Sequence, residues 1–96
     1  MARIFYAPRA VRDLERLVGF LQDESPRQAA RTFPLICESI EMLGRHPLLG
    51  RIVESGLREL VISRGRTGYV ALYRYDAIRD EVFVLALRHQ RELGVP

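Results

Sequence analysis

Six consecutive apolar residues, Val82-Phe83-Val84-Leu85-Ala86-Leu87, constrain this chain more than any other stretch. A run rich in β-branched and aromatic side chains reads as a strand, and this one has no polar face to offer solvent. It belongs inside a sheet, covered on both faces or flanked on both sides. Two more strand-like segments precede it, about 57–63 and 68–75, and the third spans about 81–88. The links between them are short, so neighbours pair antiparallel. Arg3 to Tyr6 is a short β-prone run near the start.

Between these strands lie two helical patterns. Pro8 suits the first turn of a helix, where its missing N–H costs nothing. Val11, Leu14, Leu17, Val18 and Leu21 follow at helical spacing, giving an amphipathic helix of about four turns. The polar residues among them, Arg12, Asp13, Glu15 and Arg16, form a solvated face. A second start signal is Ser25-Pro26 with Gln28, an N-cap serine, a first-turn proline and a capping box. Ala29, Phe33, Ile36, Cys37, Ile40 and Leu43 make the second apolar stripe, and Gly44 and Pro47 end it. Pro34 removes one helical hydrogen bond. Because the stripe continues in phase, a kink is expected there and not two helices. Residues 44–56 read as a turn-rich connection. The order β-α-α-β-β-β describes an α+β fold, a two-helix hairpin packed on a small twisted, mostly antiparallel sheet.

The 96 residues suffice for one domain, residues 1–96, with one modest core. The net charge is +3 and all 15 basic side chains are arginine. A GC-rich genome favours arginine codons, so this choice does not itself name a ligand. Arginine does offer a planar fork suited to carboxylates, phosphates and aromatic faces. Cys37 is the one cysteine, so no internal disulfide can form, and the second apolar stripe places it in the core. Two histidines, His46 and His89, without clustered ligand spacing argue against a metal site, and no nucleotide loop or other cofactor motif is present. No run approaches membrane-spanning or signal-peptide length, and a cytoplasmic location without membrane contact is expected.

Several motifs have plain structural readings. Gly65-Arg66-Thr67-Gly68 resembles the loop of some RNA-binding domains, but it joins two strands and reads as a hairpin turn. Tyr69, Tyr73 and Tyr75 share one parity and hence one face, packed under the helices or under a partner. Arg74, on the other parity, is placed to pair with an acid such as Glu59. His46, before Pro47, reads as a helix-end residue, and His89 as a strand-end one.

The order and spacing of many residues resemble the RelE/ParE toxins of bacterial toxin–antitoxin modules, also described as plasmid-stabilisation proteins. The resemblance runs through Pro8, Ala10, Asp13-Leu14, Ser25-Pro26, Ala29-Ala30, Phe33, Leu43, His46-Pro47 and Gly50-Arg51. It continues with Leu57-Arg58-Glu59-Leu60, Tyr69 to Arg74, and Val84 to His89. It implies a two-helix hairpin on a twisted sheet. It further implies a toxin neutralised by a cognate antitoxin, whose complex meets operator DNA only through that antitoxin.

The family's activities divide. RelE-like members cut messenger RNA on the ribosome, and ParE-like members bind DNA gyrase. In the cleaving members an arginine follows the tyrosine of the third family strand; here that place is Val70. A second arginine beyond the last strand falls on Gln90 here. Residues 92–96 hold no tyrosine to match the one in the family's C-terminal tail. Pro8, Asp13-Leu14 and His46-Pro47 with Gly50 look like the ParE branch. The resemblance therefore implies a gyrase-binding toxin that is not an enzyme. A metal-free, ribosome-dependent endoribonuclease and a non-toxic co-repressor of the same fold are the alternatives. The target-binding candidates are Arg88, His89 and Arg91 at the C-terminal end, then Arg64 and Arg66 at the hairpin. Arg88, His89 and Arg91 are also the weak candidates for acid–base and phosphate chemistry.

Overall fold

A computed structural model describes residues 1–54, 56–64 and 67–90, with residues 63, 64 and 67 seen through their backbone alone. The elements run β1 (Arg3–Tyr6), α1 (Pro8–Glu24), α2 (Pro26–Glu41), a 3-10 turn (Met42–Gly44), β2 (Arg51–Glu54), β3 (Leu57–Arg64), β4 (Thr67–Asp76) and β5 (Glu81–His89). Among the described residues the strands form a 5-stranded sheet in the order β1-β5-β4-β3-β2. β1 runs parallel to β5, and the remaining pairs are antiparallel. The apolar run thus sits in an interior strand, flanked by β1 and β4. No helix among the described residues is long and apolar enough to cross a membrane.

The two helices meet at a single residue. The Ser25 N–H donates to the Leu21 carbonyl at 2.7 Å, ending α1. Its Oγ accepts from the Gln28 N–H at 3.3 Å, starting α2. Ser25 itself is extended (φ −160°, ψ 104°), so one residue turns the chain from one helix to the next. α2 continues through Pro34 as one helix.

The turn-rich connection contains one strand that its sequence does not announce. β2 pairs with β3 at the sheet's edge, and its four residues are all exposed. With neither face buried, Arg51-Ile52-Val53-Glu54 carries no inward–outward alternation to read. Pairing comes from the backbone and from the Arg51–Glu59 ion pair at 2.8 Å, and the register shifts between Ile52 and Glu54.

The helices cover one face of the sheet. Tyr69 and Tyr73 lie there, 3% and 0% exposed, in a cluster with Leu17, Ile36, Ile40 and Leu87, and Tyr75 packs at its margin. The tyrosine face is therefore core. Tyr73 fixes more than packing. Its hydroxyl donates to the Pro47 carbonyl at 2.8 Å and accepts from the Gly50 N–H at 2.8 Å. Arg58 adds a bond to the Gly50 carbonyl at 2.8 Å. A Cβ at position 50 would come within 2.6 Å of the Tyr73 ring, so glycine is required there. The loop before β2 is thus held on a phenol buried beneath it.

Tyr73→Phe leaves the buried Gly50 N–H and the Pro47 carbonyl without their partner. It should lower the stability read from urea unfolding by about 1–3 kcal/mol. A second outcome concerns pH. Burial is the largest cause raising the phenols of Tyr6, Tyr69 and Tyr73 above their usual 10.0. A raised folded pKa gives stability that is complete below the unfolded value and lost as pH climbs through the folded one. The chain has no lysine, so tyrosines and Cys37 are the side chains left to titrate between roughly pH 9 and 12. Unfolding free energy should be flat to about pH 9 and then fall. The loss should coincide with the tyrosinate absorbance rise.

Candidate functional site

β5 changes its facing part-way along. The register steps from Leu72↔Ala86 to Tyr73↔Val84, leaving Leu85 as an extra residue. Before this bulge the even residues Val82 and Val84 face the helices; after it, Leu87 and His89 do. Val84 is the last β5 residue paired with β1. Beyond it, the Leu87 N–H donates to the Asp13 Oδ2 of α1 at 3.0 Å. Arg9 and Arg16 flank that carboxylate at 3.7 and 3.8 Å, and the Asp13 side chain is 13% exposed. The solvated face read from sequence therefore excludes Asp13, because helix packing turns it onto the bulge.

The bulge also decides where the C-terminal candidates point. His89 lies opposite Tyr69 on the helix side, edge-on to its ring at 5.2 Å. Arg88 lies opposite Val70, on the open side. The two adjacent residues are thus on different faces and do not form one cluster. Gln90 belongs to the open side too, since a Cβ at Gly68 would overlap its side chain. Arg64 ends β3, where its backbone pairs with Thr67 across the hairpin. Arg66 and Arg91 lie outside the described residues.

On the open face, at the end of the sheet farther from that hairpin, three strands contribute one row. Arg74 of β4, Phe83 of β5 and Phe5 of β1 lie directly opposite one another. The Phe5 and Phe83 rings stack at 5.5 Å with 20° between their planes. The Arg74 guanidinium sits 4.8 Å above the Phe83 centroid. Arg74 does not pair with Glu59, as its sequence position suggested. Register sets Glu59 opposite Leu72 and next to Arg51, which takes its carboxylate. Arg3 lies 5.8 Å from the Phe5 centroid, but Glu81 holds its charge at 2.7 Å.

The opposite side of the molecule carries a second apolar surface. Phe20 and Phe33 are 63% and 42% exposed on the helix hairpin. A shallow cleft of about 380 Å³ between the helices is lined by residues including Val18, Ala29, Ala30 and Phe33. Cys37 is half-buried, and burial, then Glu41 and Glu38, push its thiol up. That is the reverse of what a nucleophilic thiolate needs.

Comparison with known proteins agrees with this architecture. The model of the family described as "ParE toxin of type II toxin-antitoxin system, parDE" matches residues 4–94. The chain belongs to the ParE toxin family. Its relatives include Toxin RelE3 of Caulobacter vibrioides, 38% identical over 92 residues, covering 96% of this chain and 98% of the relative. Toxin RelE1 of the same organism is 38% identical over 89 residues, covering 93% and 94%. Among solved structures, a chromosomal ParDE system from P. aeruginosa aligns with a TM-score of 0.74 at 20% identity, over 91% of this chain and 94% of that one. The RelBE2 toxin–antitoxin complex from Mycobacterium tuberculosis aligns with a TM-score of 0.62 at 27% identity, over 92% and 96%.

This ParE-family toxin thus presents a hairpin cleft on one side and an Arg–Phe–Phe row on the other. Sequence reasoning missed both the row and Asp13. Alternation alone places Phe5, Phe83 and Arg74 outward once Ile4, Val82 and Tyr73 are taken as inward, but their juxtaposition needs the register.

Asp13→Ala should cost about 1–3 kcal/mol by leaving the Leu87 N–H unpartnered. Asp13→Asn keeps an acceptor and should recover part of that loss. Amide hydrogen exchange reads the effect locally: the Leu87 amide, protected in the parent, should exchange faster in Asp13→Ala than its neighbours on β5.

Proposed function

We propose that this type II toxin acts by binding DNA gyrase in the cytoplasm and is held silent by a cognate antitoxin. The observation that carries the reading is the ParE family match across residues 4–94. The open face supports it. The place where RNA-cutting members carry an arginine holds Val70, 6% exposed, and Gln90 lies against Gly68. A protein grip needs no general base or acid. It needs arginines and aromatics set in a preorganised surface.

The antitoxin contact is best supported at the helix hairpin. Phe20, Phe33 and the cleft between α1 and α2 leave apolar surface in water, which an amphipathic segment would cover. The solved relatives of similar fold include a toxin–antitoxin complex.

One observation favours a second reading. Two relatives at 38% identity are named RelE toxins, and Arg88 lies directly across from Val70 on the open face. On that reading Arg88 stands near the vacant arginine position, and messenger RNA is the target.

Induction in growing cells without antitoxin separates the two. The gyrase reading expects a DNA-damage response with intact messenger RNA, and purified gyrase should retain the toxin. Codon-positioned RNA cuts with no DNA damage would reverse the assignment. For the antitoxin, Phe20→Glu combined with Phe33→Glu should weaken the complex by about tenfold or more, as loss of buried aromatic anchors does. Titration with the protein encoded by the adjacent short reading frame measures it.

A further inference from the structure

We propose that the Arg74–Phe83–Phe5 row is the anchor by which this chain grips its target protein. Its ligand would be a segment carrying a carboxylate beside an apolar side chain. This rests on the reading of the chain as a toxin that works by binding a protein. It places the grip away from both the helix hairpin and the C-terminal residues Arg88 and His89.

The geometry supplies three arguments. The first is preorganisation. Arg74 is exposed, yet its guanidinium is laid on the Phe83 ring at 4.8 Å, and that ring is stacked on Phe5 at 5.5 Å. Stacking restrains the long side chain and leaves the N–H edge of the fork to bind. Less side-chain freedom is then lost when a partner arrives.

The second is charge. Among the described residues Arg74 has no carboxylate partner, whereas Arg3 is held by Glu81 at 2.7 Å and Arg51 by Glu59 at 2.8 Å. The open face thus has one unsatisfied fork in this row, set in a chain of net charge +3. One fork matches one carboxylate. A nucleic-acid track would call for several unpaired cations along a phosphate spacing, and the guanidiniums of Arg3 and Arg51 are already neutralised.

The third is apolar exposure. Phe5 is 41% exposed beside a half-buried Phe83, on an edge strand. An exposed phenyl next to a fork is the composition of an interface hot spot, which needs a partner's apolar side chain to exclude water around the ion pair.

Arg74→Glu, Arg74→Lys and Phe5→Ala test this in the full chain. Arg74 and Phe5 are exposed, so circular dichroism should show each variant folded, and each should still co-purify with the antitoxin. Growth inhibition on induction and binding to purified DNA gyrase are the readouts. Arg74→Glu should lose at least tenfold in gyrase affinity and abolish growth arrest, Phe5→Ala should lose several-fold, and Arg74→Lys should fall between Arg74→Glu and the parent. Full toxicity in folded Arg74→Glu would overturn the proposal. So would loss of antitoxin binding in step with toxicity, which would make the row an antitoxin surface. Crosslinking of single-stranded RNA to Phe5 or Phe83 would overturn it in favour of a nucleic acid. If the parent fails to bind gyrase while Arg74→Glu loses toxicity and keeps antitoxin, the gyrase assignment falls and the anchor stands.

Discussion

The contact between Asp13 and the Leu87 N–H holds this fold together at the point where its two layers must agree. β1 has ended by Val84, and β5 continues alone on that side. The carboxylate of α1 takes the place that a strand would have filled. It meets β5 just past the bulge at Leu85, where Leu87 faces inward and Arg88 outward. Exposed ion pairs contribute little on their own, so Arg9 and Arg16 matter chiefly for the charge they bring near a mostly buried carboxylate.

That step also explains the six-residue apolar run. A regular strand with one wet face alternates, and this one does not. Part of the reason is its interior position; part is the bulge, which sets Leu85 and Ala86 in succession between the helix-facing Val84 and Leu87. The sequence makes the interior strand legible but not its cause. Ser25-Pro26 and the tyrosine parity are equally legible, because capping and alternation are local rules. β2 is not, since its exposed side chains carry no pattern. Asp13 reads as one more polar residue on a solvated face, because its partner lies 74 positions away.

The candidate site follows the same division. Individual residues such as Arg74 and Phe83 can be assigned a face from parity. Which acid or ring each one meets depends on strand register, and that is set by distant pairings. Glu59 looked available to Arg74 until β2 brought Arg51 beside it. Arg88 and His89, adjacent in sequence, serve different faces for the elementary reason that strand neighbours alternate. The result is a molecule with its apolar cleft and its arginine–aromatic row on opposite sides.

The buried phenol of Tyr73 has an implication for how this chain can vary. Its hydroxyl occupies the space a side chain at position 50 would need, and it also satisfies the Gly50 backbone N–H. A larger residue at 50 evicts the phenol, and a smaller one at 73 orphans the loop. Each single change is therefore penalised, although the two positions are 23 residues apart. They form a coupled pair whose double replacement should cost less than the sum of its parts, and the loop they secure can drift only where both move together.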